Sequence, residues 1–101
     1  MLLKLGVDIS RLARPVRRQL KLIDNVFERN GHGEAVITST YEGMHSPSSL
    51  HYCDLALDCR IPRDATQAKV KELVKDLSLS LGDNFDVLVS TNCIHIEYDI
   101  G

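Results

Sequence analysis

The sequence predicts an α+β domain: a small antiparallel-rich sheet with two helices packed on it. Two segments repeat apolar residues at helical spacing, and several short segments alternate apolar with polar residues. Their order along the chain is helix, strands, helix, hairpin, which favours antiparallel pairing with the helices on one face. The 101 residues suffice for one compact domain and are too few for two, so residues 1–101 are read as a single unit.

No element is assigned to residues 1–13. The first helix starts near Pro15, a residue suited to a first helical position. Val16, Leu20, Ile23 and Phe27 then recur at spacings of four, three and four, which marks one buried face. Asn30-Gly31 and Gly33 end it. A strand follows within Glu34–Thr40, centred on Ala35-Val36-Ile37-Thr38. Residues 41–50 form a long loop rich in Gly, Ser and Pro, and a loop of that length in so small a domain points to function.

Leu55 to Arg60 reads as a strand. Its alternation places Leu55, Leu57 and Cys59 on one face and Ala56, Asp58 and Arg60 on the other. Pro62 stops it. Asp64 or Thr66 caps a second helix with Val70, Leu73, Val74, Leu77 and Leu81 as its apolar stripe, and Gly82 closes it. Phe85, Val87 and Val89 alternate in a further strand. In the last strand Ile94, Ile96 and Tyr98 face one way while Cys93, His95 and Glu97 face the other. Ser90-Thr91-Asn92 makes the turn between them.

The formal charge of −2 gives no reason to expect nucleic acid. Arg11, Arg14, Arg17, Arg18 and Lys21 are spaced like the solvent side of a helix. No apolar run is long enough to span a bilayer, and Met1-Leu2-Leu3-Lys4-Leu5 is too short for the core of a secretion signal. Neither a membrane partner nor a secretion route is expected. The three cysteines Cys53, Cys59 and Cys93 are odd in number and make no disulfide framework, which fits a reducing compartment.

The residues that carry chemistry are His51, Asp58 and His95. Catalytic zinc takes three protein ligands, with imidazole and carboxylate as usual donors, and keeps a fourth position open. His51 lies where the long loop enters a strand. Asp58 lies on the polar face of that strand and His95 on the polar face of the last one. Spacing alone is a weak signal for a metal site, since an isolated His on a strand is more often a plain surface residue.

The segment His45-Ser46-Pro47-Ser48-Ser49-Leu50-His51, continuing through Ala56-Leu57-Asp58, resembles the S-x-H-x-x-G-x-A-x-D motif of zinc D,D-peptidases. The segment Cys93-Ile94-His95-Ile96-Glu97-Tyr98 resembles the H-x-H motif that closes the same site. That group includes D-Ala-D-Ala carboxypeptidases, dipeptidases of vancomycin resistance and phage L-alanyl-D-glutamate endopeptidases, and the Hedgehog signalling domain shares its fold. The similarity runs from about Val7 to the C-terminus and is closest to short forms from bacteriophages and prophages. It implies a Hedgehog/D,D-peptidase-like fold with Zn2+ held by His51, Asp58 and His95. It also implies peptidoglycan stem peptides, or other small peptides, as substrate. Such a protein would reside in the host cytoplasm or the virion and reach the wall after release or delivery, with other virion proteins as further candidate partners.

Several positions depart from that pattern. The family's proton-transferring Glu falls at Ser90, which is no base without its own activator. The first His of H-x-H falls at Cys93, the Gly of the first motif at Asp54, and a loop Arg at Met44. Cys93 reads as a fourth zinc ligand, as an unliganded neighbour of the metal, or as a small packing residue. Glu97 shares a face with His95 and is either a substitute base or a partner of that ligand. Ser90, Cys93 and Glu97 therefore occupy the candidate catalytic positions, and His45 and Ser49 are the candidates for substrate contact. His32, between two glycines, reads as a solvated turn residue, and Cys53 and Cys59 as packing residues. Three functions follow: a zinc peptidase, a peptidase fold kept as a virion or wall-binding module after catalysis was lost, and a metal-free α+β domain.

Overall fold

A computed structural model describes residues 1–4, 6–7, 14–40 and 56–98. Within them run β1 (Leu2–Leu3), α1 (Arg14–Arg17), α2 (Leu20–Arg29), β2 (Val36–Thr40), β3 (Ala56–Arg60), α3 (Gln67–Leu81), β4 (Phe85–Val89) and β5 (Cys93–Tyr98). The strands form one mixed sheet in the order β1-β2-β3-β5-β4. β1 runs parallel to β2, and the other three pairings are antiparallel.

The first helical segment divides where the periodicity predicts one helix. Gln19 N–H bonds the Val16 carbonyl at 3.0 Å, a tight turn, and the ladder restarts with Ile23 N–H on the Gln19 carbonyl. No residue in that stretch explains the break. Its C-terminus follows the pattern the sequence signals. Gly31, at φ +83°, donates to the Glu28 carbonyl while His32 donates to that of Phe27. This is the paired closure that a left-handed glycine allows. The cap of α3 is Thr66, whose Oγ1 accepts from Lys69 N–H at 3.2 Å.

Val16, Ile23, Val26 and Phe27 from the first two helices meet Leu73 and Leu77 from α3 in one core. The sheet contributes Ile37, Leu57, Cys59, Phe85, Ile94 and Ile96. On β3 and β5 these are alternate residues, so the helices cover one face of the sheet and leave the other to different chemistry. Arg29 ties α2 to α3 by two bonds to the Asp76 carboxylate, at 2.9 and 2.6 Å, while Asn30 Nδ2 reaches the same carboxylate at 2.8 Å. These donors hold the Asp76 carboxyl well below the usual range.

Candidate functional site

Strand register fixes which polar side chains meet on the face away from the helices. The β4–β5 hairpin closes with Ser90 N–H on the Cys93 carbonyl at 2.9 Å. Bonded pairs in an antiparallel ladder alternate with non-bonded ones, so Leu88–His95 and Asp86–Glu97 are bonded pairs of that hairpin. His95 therefore turns its backbone toward β4. Opposite Asp58 on β3 it forms a non-bonded pair, the geometry in which facing side chains approach most closely.

The result is a carboxylate–imidazole–carboxylate chain. His95 Nδ1 lies 2.8 Å from Asp58 Oδ1, and His95 Nε2 lies 3.2 Å from Glu97 Oε1. Asp58 is the one buried charged residue among those described, 5 % exposed. A carboxylate removed from water must be paired, and the imidazole is one such partner. Both neighbours of the ring are acceptors when ionised, so a proton on either ring nitrogen finds a partner. The His95 pKa is accordingly raised above its ordinary 6.5, first by the hydrogen bond to Asp58, against the cost of burial, and further by Glu97.

The neighbouring strand adds a feature the periodicity did not signal. The β2–β3 register shifts between Ile37 and Ser39. The extra residue, Thr38, turns its Oγ1 to the Asp58 carbonyl at 3.3 Å. Bulges of this kind re-aim side chains and are frequent beside active sites. A run of β-branched and hydroxyl residues in β2 is a β-propensity signal only; it does not mark a bulge.

Ser90 and Cys93 lie together at the hairpin end. Ser90 Oγ is 3.2 Å from Cys93 Sγ and accepts from Cys93 N–H at 3.3 Å, so it closes the turn in place of a backbone carbonyl. Cys93 shares the strand face of His95 and stands opposite Arg60. Cys59 points the other way, into the core, where burial pushes its thiol up to about 12. That thiol is packing and not a ligand.

Asp58, His95 and Glu97 are thus brought to one place by β3 and β5. His51, His45 and Ser49 lie outside the described residues, as do Met44, Cys53 and Asp54. Among the described residues no group of three or more His, Cys, Asp or Glu is arranged to hold a metal ion. The Asp58–His95 pair offers an oxygen and a nitrogen donor, which suit zinc in kind. A third donor would have to come from elsewhere in the chain. Among the described residues no helix is long and apolar enough to cross a membrane. No protein-family model, curated protein or solved structure matches this chain.

Proposed function

We propose that this chain is a zinc-binding, peptidase-like domain of the Hedgehog/D,D-peptidase type, with peptidoglycan stem peptides as its substrate class. The observation that carries the reading is the buried Asp58 carboxylate paired at 2.8 Å with His95 on the sheet face opposite the core. Two of the three ligands suggested by the sequence motifs are adjacent, and His51 is assigned as the third on the motif alone. When bound, zinc supplies Lewis acidity that polarises a peptide carbonyl and acidifies water.

The chain's own residues then divide the remaining work. Asp58 fixes the imidazole and brings negative charge to a cationic ligand. Glu97, on the other ring nitrogen, is the carboxylate best placed to take up and return a proton. Metal and proton compete for His95, so zinc affinity rises with pH, and the raised pKa carries that competition above pH 6.5.

A second reading has its own support. Ser90 stands at the family's base position and spends its hydroxyl on the turn, which favours a module that keeps the fold and the metal without efficient hydrolysis. A virion or wall-binding role would then replace catalysis.

Zinc content of the purified protein, measured alongside cell-wall digestion, separates these readings. About one zinc per chain in wild type and at least a tenfold loss in His95→Ala is the expected result. New amino groups released from cell walls, and lost in Glu97→Gln, support the peptidase. Bound zinc without release supports the module. Equal and negligible zinc in wild type and His95→Ala overturns both.

A further inference from the structure

Strand register holds the His95 ring between two carboxylates, one at each nitrogen. Asp58 faces it from β3, with Oδ1 2.8 Å from Nδ1. Glu97 lies two residues along β5 on the same sheet face, with Oε1 3.2 Å from Nε2. The Cα partner of Glu97 on β3 is Ala56, which is fully buried and ends in a methyl group. Ala56 offers the ring no polar atom of its side chain, so among the described residues the partner of Nε2 is Glu97.

The two carboxylates are not equivalent. The Asp58 side chain is 7 % exposed and that of Glu97 23 %. A buried carboxylate costs far more to leave uncompensated than one in reach of water, so a cation gains most beside Asp58. A single ion that takes an oxygen of Asp58 together with a nitrogen of His95 must use Nδ1, because Nδ1 is the nitrogen that faces Asp58. Nε2 then keeps its hydrogen and donates it to Glu97. The bond made by the second nitrogen fixes the tautomer and orientation of a ligating imidazole, and a carboxylate there also raises its basicity.

We propose that Glu97 is a positioning residue: its carboxylate holds the Nε2 hydrogen of His95, so that Nδ1 is the nitrogen offered to the metal. The proposal rests on the zinc reading above and adds to it which nitrogen binds and which residue decides this. The ring stands between Glu97 and an ion so bound. Glu97 therefore acts on the metal through the imidazole, and the proton it exchanges is the one on Nε2.

The test is nitrogen NMR of the full chain with isotope-labelled histidine, titrated with zinc and with a magnetic isotope of cadmium, which couples to the nitrogen that binds it. The expected result is coupling of cadmium to Nδ1 of His95, with a hydrogen retained on Nε2. Glu97→Leu weakens zinc binding about tenfold or more and speeds the exchange of that hydrogen with water. Glu97→Gln keeps an acceptor oxygen at the same position and binds zinc as wild type does. Coupling to Nε2 overturns the proposal and leaves the zinc reading standing. Equal zinc affinity in Glu97→Leu, or a Glu97→Gln variant as weak as Glu97→Leu, does the same. A wild type that binds neither metal overturns both. If Glu97→Leu does not fold, the coupling measured in wild type decides.

Discussion

The two faces of the sheet are built from the same strands and obey different rules. On one face Leu57, Cys59, Ile94 and Ile96 have no exposure and are held by packing against α2 and α3. On the other, successive positions carry Asp58, His95 and Glu97, held by hydrogen bonds and charge. A two-residue period therefore places the most apolar and the most polar clusters of the molecule within one peptide unit of each other. The first face requires volume and the second requires direction. Substitutions on each should fail in different ways.

Ile96→Ala should have the largest effect. It opens a cavity in the core and costs about 2–5 kcal/mol in denaturant unfolding, without changing the chemistry of the far face. Its neighbour His95→Ala should cost less, about 1–3 kcal/mol, mainly by taking the imidazole donor away from the buried Asp58 carboxylate. Asp58→Asn in the His95→Ala background should recover part of that loss, because the buried charge is then gone. If His95→Ala proves as costly as Ile96→Ala with no recovery, the division between packing and pairing is wrong.

The pairing face should also be the pH-sensitive one. In metal-free protein, the folded-state pKa of His95 lies above its ordinary unfolded value. The stability it contributes is complete below pH 6.5 and is lost as pH rises through the folded value. Unfolding free energy measured from pH 6 to pH 9 should decline in wild type and flatten in His95→Gln. The Arg29–Asp76 link between the helices should show the opposite sign. Asp76 titrates below its ordinary value, so its contribution is present above about pH 4 and fades in acid.

Smaller effects sharpen the comparison on the helical side. Thr66→Ala removes the α3 cap and should cost about 1 kcal/mol at any pH near neutrality. Asp76→Asn should lower Tm by a few degrees at pH 7, because one face of the link is exposed, and that difference should shrink as pH falls toward 3.

Much of this was legible in the residues. The α3 stripe, its Thr66 and Gly82 ends, the β3 alternation and the β4–β5 hairpin all follow from periods and turn chemistry. The division between α1 and α2 was not legible, because no breaker separates Val16 from Leu20. β1 was not legible either. It consists of Leu2–Leu3, too short for a period to register, and exists through pairing with β2 and bonds such as Leu2 N–H on the carbonyl of Ala35, just before β2. At the site, the far-face placement of Asp58, His95 and Glu97 could be read from alternation within each strand. That Asp58 faces His95, and not Cys93 or Glu97, could not.

The sequence by itself determined which residues share a strand face and where helices start and stop, because those depend on neighbours a few positions apart. Tertiary structure alone decided the β3–β5 register and the Thr38 bulge. These join residues far apart in the chain: Thr38 meets Asp58 across 20 positions, and Asp58 meets His95 across 37. A local period cannot encode that information, since slipping a register by two residues leaves every side chain on its own face.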